Sequence, residues 1–125
     1  MVIREILNSI LDAIGLQTKK LEPKNYSRII SLITRVNTAG TAVQLPNQAI
    51  PDGIEVLITA LVLNTGTVYI GEGKAFAEDR NRAYPLAAGT GVELRIKNLD
   101  SIWLDSDNDS DGVAWLVETE DEVDG

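Results

Sequence analysis

Asp107-Asn108-Asp109-Ser110-Asp111-Gly112 is the stretch of this chain whose residue types and spacing come nearest to a reactive or ligand-holding site. Carboxylates at alternate positions, a glycine at the sixth and Glu118 at the twelfth reproduce the ligand pattern of a helix–loop–helix calcium loop. Hard carboxylate oxygens are what Ca²⁺ requires, and the glycine permits the sharp turn. The flanks argue the other way. Ile102–Leu104 and Val113–Val117 read as strands where that loop needs helices, and Ala114 replaces the usual bulky apolar residue at the eighth position. Asp, Asn, Ser and Gly are also favoured in turns for their own geometry. Asp107, Asp109 and Asp111 are thus metal candidates set against a plain acidic hairpin turn across Asp105–Gly112. The turn is the expectation, with a fold that does not depend on metal and no cofactor. Calcium at this turn is the alternative.

Elsewhere the chemistry is sparse. The chain has no His and no Cys, which removes disulfide, iron–sulfur and thiolate–zinc chemistry. Gly71-Glu72-Gly73-Lys74 lacks the spacing and the following helix of a phosphate loop and reads as a turn. Gly89-Thr90-Gly91 reads as a turn before a strand. Trp103 and Trp115 could stack on a sugar or a base, but alternating strands place such residues in a core or an interface. Glu78 and Asp79 fall in a charged stretch expected to be exposed, and nothing marks a buried acid with a shifted pKa. A non-enzyme is the expectation.

The elements that position these residues follow from hydropathy patterning. The 125 residues suit one domain. Ile54, Val56, Ile58 and Ala60 alternate, as do Val92, Leu94 and Ile96 against Glu93, Arg95 and Lys97. That is the period of half-buried strands, and it turns the aliphatic members inward. Ala42–Leu45 is a short strand and Pro46–Gly53 a loop. Asn64-Thr65-Gly66 is a turn with Thr67–Gly71 returning from it. Glu72–Arg82 reads as an exposed loop. Ser101–Leu104 and Val113–Val117 make a last pair. Six or seven such strands predict a mainly β fold, an antiparallel β-sandwich or jelly roll, over residues 38–118.

An N-terminal helical arm, 1–37, precedes the sandwich in this reading. Val2–Leu16 has Ile3, Leu7, Ile10 and Ile14 at helical spacing, widened by Ile6 and Leu11. Gly15 is a plausible stop. Gln17–Lys24 is a polar connector. Tyr26, Ile29, Ile30 and Ile33 fit a second helix to about Thr34, although the β-branched run Ile29–Val36 also suits a strand. The six aliphatic residues of the arm are too many to leave in water. They must cover the β domain, pair with copies or dock on another protein, and packing between copies is the expectation.

Charge is uneven. Residues 1–40 hold six basic and three acidic residues, 41–97 five and six, and 98–125 none and ten. The net charge of −8 therefore comes from the C-terminal fifth, with 119–125 an acidic tail. Nucleic acid is disfavoured, because phosphate contacts need clustered Lys and Arg. No apolar run approaches the roughly 20 residues of a membrane span, so no membrane partner is expected.

Thr38-Ala-Gly-Thr-Ala-Val-Gln-Leu45, Asn64-Thr-Gly-Thr-Val-Tyr-Ile-Gly71, Tyr84-Pro-Leu-Ala-Ala-Gly89, Ile102-Trp-Leu-Asp-Ser-Asp107 and Gly112-Val-Ala-Trp115 together carry a resemblance. Over about 38–117 the chain resembles a β-sandwich module of tailed-bacteriophage virion proteins, of the head decoration or head or fibre adaptor type. The resemblance implies a structural component of the virion, assembled in the host cytoplasm. Its implied partners are copies of itself, as a homotrimer, and a major capsid or other virion protein. A calcium-dependent module for carbohydrate or protein, built on the Asp-rich loop, is the alternative function.

Overall fold

The computed structural model describes residues 28–119. Eight strands make up most of it: β1 (Arg28–Arg35), β2 (Val43–Gln44), β3 (Val56–Ala60), β4 (Val68–Glu72), β5 (Tyr84–Leu86), β6 (Gly91–Leu94), β7 (Ile102–Ser106) and β8 (Gly112–Thr119). A short helix, α1 (Lys74–Glu78), lies between β4 and β5, and a 3₁₀ turn, Leu99–Ser101, precedes β7. The strands form two four-stranded sheets, ordered β1-β8-β3-β6 and β2-β7-β4-β5. All the pairs are antiparallel.

The pairing is nested: β1 with β8, β2 with β7, β3 with β6, β4 with β5. One long antiparallel ribbon, rolled so that β8 also meets β3 and β7 also meets β4, gives this order. That is the jelly roll, the eight-stranded double Greek key. Every connection except β4–β5 passes from one sheet to the other. The expected hairpins are corrected accordingly. Asp105–Gly112 is not a hairpin turn, since β7 and β8 lie in different sheets, and Asn64-Thr65-Gly66 likewise carries the chain across the sandwich. Alternation tells a strand and its buried face; it carries no information on which sheet receives the strand.

The core fills the space between the sheets. Val56, Ile58 and Ala60 of β3 and Val113, Trp115 and Val117 of β8 face Val68, Ile70, Leu86 and Leu104 from the other sheet. Each Val, Leu or Ile among them contributes roughly 1.5–3 kcal/mol on burial. The expected register holds: Ile54, Val92, Leu94 and Ile96 pack against this core while Glu93, Arg95 and Lys97 stay exposed. Trp115 is a core residue, whereas Trp103 is half-buried on the outer side of its sheet.

Two expected elements differ. The helix through Thr34 is instead β1, paired along all eight residues with β8. The β-branched run won because a waiting β8 edge supplies ladder bonds that an isolated short helix lacks. The sandwich therefore begins at Arg28 rather than at residue 38. Glu72–Arg82 is not simply a loop, since α1 packs over β4, close enough that a Cβ on Gly71 would stand 2.8 Å from the Ala77 nitrogen. At the mouth of β8, a Cβ on Gly112 would stand 2.8 Å from Arg35 Cα, so a glycine is required where β1 passes. The arm helix Val2–Leu16, with Ile3, Ile6, Leu7, Ile10, Leu11 and Ile14, lies outside the described residues, as does the acidic tail beyond Thr119.

Candidate functional site

The loops β1–β2, β3–β4 and β7–β8 gather at one end of the sandwich, and aspartates tie them together. Asp105, fully buried, accepts from the backbone N–H of Gly40 (2.9 Å) and of Ser106 (2.8 Å) through Oδ1. Its Oδ2 meets Arg80 Nη1 at 3.0 Å. Asp109 accepts from the Ala39 N–H at 2.8 Å. Asp111, also buried, accepts from the N–H of Thr65 (3.0 Å) and of Gly66 (2.9 Å), with the Thr65 hydroxyl at 3.3 Å. Asp107 accepts from the Tyr69 hydroxyl at 3.0 Å and stands 3.6 Å from Arg80 Nε. The Arg80 guanidinium stacks 3.8 Å above the Tyr69 ring. Burial, then the Asp107 hydrogen bond and its negative charge, raise the Tyr69 phenol above its ordinary pKa.

The directions of these carboxylates bear on the two readings of the motif. A calcium loop needs its carboxylates convergent. Here Asp107, Asp109 and Asp111 diverge, one to Tyr69 and Arg80, one to the β1–β2 loop, one to the β3–β4 loop. Glu118 sits near the far end of β8, opposite Ile29. It lies six residue steps beyond Gly112 along the strand, about 20 Å at strand rise. The twelve-residue ligand window is therefore pulled open by the strand. Among the described residues no group of three or more His, Cys, Asp or Glu is placed to hold a metal ion. In this arrangement the motif serves as a junction, in which carboxylates satisfy loop N–H groups that no ladder reaches.

What the junction positions is apolar. The turn Leu61–Asn64 is closed by Asn64 N–H to the Leu61 carbonyl, 3.1 Å. Val62 and Leu63 form its tip, and they are the most exposed large apolar residues described, at 80% and 93%. Below them Leu61 N–H and the Asn64 side-chain amide both donate to the Gly112 carbonyl, while Gly112 N–H donates to Asn64 Oδ1. With Asp111 holding Thr65 and Gly66, the turn is fixed on both flanks. Turn tips ordinarily carry Gly, Asn, Asp or Pro. Here the tip instead carries Val and Leu, exposed yet hydrogen-bonded on both flanks.

The Asp motif was legible in the sequence, the hairpin expected across it is a connection between sheets, and the Leu61–Asn64 tip was not anticipated. The signal was present: Leu61-Val62-Leu63 breaks the alternation that ends at Ala60, immediately before a turn. The expected docking residues Ile3, Ile6, Leu7, Ile10, Leu11 and Ile14 lie outside the described residues. Comparison with family models, with curated proteins and with solved structures returns no match for this chain.

Proposed function

We propose that the chain is a non-enzymatic structural component of a phage virion, decorating or cementing the capsid shell as a homotrimer. The observation that carries the docking role is the Val62-Leu63 tip, exposed yet fixed by Asn64, Asp111 and Gly112. Such a tip suits insertion into an apolar pocket of a shell protein. The jelly roll is consistent with this reading, being an architecture of viral capsid domains as well as of lectins and cupins. Fold alone does not set function, so the weight rests on the tip and on the sequence resemblance. The segments that carry that resemblance fall on β2, β4, β5, β7, β8 and the turns beside them. The homotrimer rests on the resemblance.

The test is co-sedimentation with capsid particles assembled without this chain. Val62→Asp combined with Leu63→Asp should leave the melting temperature within about 2 °C, because both side chains are already in water. Binding should fall at least about tenfold, the effect of losing roughly 1.4 kcal/mol. Undiminished co-sedimentation of the double variant would overturn the docking role.

A further inference from the structure

The four edges of the two sheets are unequal. β2 has two residues, β5 three including Pro85, and β6 four with Glu93 among them. Short length, proline and charge are the ordinary guards of an edge strand. β1, the remaining edge, runs eight residues without proline, and its charges, Arg28 and Arg35, stand only at its ends. The direction of its backbone groups follows from the ladder. Arg35 lies opposite Gly112, and Val36 N–H donates to the Asp111 carbonyl. That makes Arg35–Gly112 a non-hydrogen-bonded pair, so Ile30, Leu32 and Thr34 bond to β8 while Ile29, Ser31 and Ile33 turn N–H and C=O outward. No described strand meets these outward groups. The two faces of the strand add to this. Ile29 and Ile33, on the outer face, are 64% and 55% exposed, and Leu32, on the core face opposite Trp115, is 57% exposed. A partner laid on one face would leave the other uncovered, whereas a strand set beside β1 meets both faces and the backbone.

We infer that this edge pairs with β1 of a second copy, antiparallel, with Ser31 on the two-fold axis, so that two four-stranded sheets become one continuous sheet. A two-fold contact must be self-complementary, and Ile29-Ile30-Ser31-Leu32-Ile33 reads nearly the same in both directions. In that register Ile29 stands opposite Ile33 of the other copy on the outer face, and Ile30 stands opposite Leu32 of the other copy on the core face. The outward groups of Ile29, Ser31 and Ile33 then exchange N–H···O=C bonds with their opposites. Moving the axis to Leu32 sets Arg35 against Ile29 and Ser31 against Ile33, and breaks both aliphatic pairings. Closure also favours a second copy. Antiparallel self-pairing uses both β1 edges and leaves the short, charged β6 edges outermost, so the sheet stops growing. The side of the sandwich along β1 is about 27 Å long at strand rise and about 20 Å deep, counting two stacked sheets and their outer side chains. Roughly 1,000 Å² buried in all is at the low end of specific interfaces, so the pairing depends on concentration. Such an isologous contact cannot close a trimer; where trimers form, it joins one to the next. The inference stands apart from the docking role of the tip, and its test leaves Val62 and Leu63 unchanged, so either can fail alone.

The absence of native Cys lets disulfides report the register directly. Opposed residues of a hydrogen-bonded pair have Cα atoms about 5.5 Å apart, within disulfide reach. Ser31→Cys, oxidised in solution with no capsid present, is expected to give a disulfide-linked dimer at least tenfold above Ala87→Cys, an exposed position just beyond β5. Ile29→Cys mixed with Ile33→Cys is expected to give the mixed disulfide at least tenfold above either same-site disulfide. Sedimentation velocity of the unaltered chain over a roughly hundredfold range of concentration should show two-fold association. Ser31→Lys, which sets like charges on the axis, should lose that association with its melting temperature within about 2 °C of wild type, because Ser31 is exposed. Cross-linking of Ser31→Cys no better than that of Ala87→Cys, or association undiminished in Ser31→Lys, would overturn the pairing. Same-site disulfides at Ile29→Cys and Ile33→Cys as abundant as the mixed one would overturn the antiparallel register.

Discussion

At the Asp-rich end of the sandwich the loops are held by ionised acceptors, while at the opposite end a neutral carboxamide does the same task. Asn98 Oδ1 accepts from Gln48 N–H and Asp100 N–H, both at 3.0 Å, and its Nδ2 donates to Asn47. Backbone bonds complete that end, Leu99 N–H to Gln48 and Ile50 N–H to Lys97. Both ends meet the same requirement, that loop N–H groups leaving a ladder find acceptors. They differ in strength and in what they support. Charge-assisted bonds are roughly twice as strong as neutral ones, and the charged end carries the exposed Val62-Leu63 tip. The charge-assisted bonds thus lie beside the exposed apolar tip.

The largest expected effect is at Asp111. Asp111→Ala leaves the Thr65 and Gly66 N–H groups without an acceptor and should cost about 3 kcal/mol in denaturant unfolding. Asp111→Asn, which keeps one acceptor oxygen, should cost less. Asn98→Ala removes the neutral tie and the cap of the 3₁₀ turn, and should cost about 1–2 kcal/mol. Equal losses at Asp111 and Asn98 would remove the distinction between the ends.

Acid separates other charged groups of the molecule from one another. Glu78 is held below the ordinary Glu pKa by its hydrogen bond to Lys74 and then by the Ala42 N–H. Its contribution is present above the unfolded pKa of about 4.5 and is lost as pH falls through the depressed folded value. Glu93 runs the other way: its hydrogen bond and like charge with Glu55 raise its pKa. The folded state then holds the proton more tightly, and stability from this group is lost as pH rises through the raised value. Glu93→Gln should gain on the wild type as pH rises from about 4 to 6, read by thermal melts across that window. A constant difference would show that the Glu55–Glu93 contact is broken in solution. The smallest expected effect is on folding at the tip, where Leu63→Asp should shift the melting temperature by no more than about 1 °C.

Much of the fold was legible because alternation is a direct record of burial. Val92, Leu94 and Ile96 face the core as their spacing requires. The jelly roll itself was less legible. Strands close in sequence were expected to form hairpins, but the rolled ribbon pairs β1 with β8 across the whole domain, and local patterning does not encode such distant partners. Arg28–Arg35 was ambiguous for a related reason: only the β8 edge decides it. The Asp motif shows the same limit from the side of chemistry. Its residue types fit both a calcium loop and a set of N–H acceptors, and the separate directions that Asp107, Asp109 and Asp111 take in space are not legible in their spacing.

Amide hydrogen exchange at Thr65 and Gly66 tests most directly whether the Asp-rich segment is a metal-independent junction that fixes the tip. In calcium-free buffer with chelator both amides should exchange slowly, and adding Ca²⁺ should leave them unchanged. Exchange should be at least tenfold faster in Asp111→Ala, compared under conditions where both proteins stay folded. Free exchange of these two amides without calcium, followed by protection when Ca²⁺ is added, would contradict a metal-independent junction.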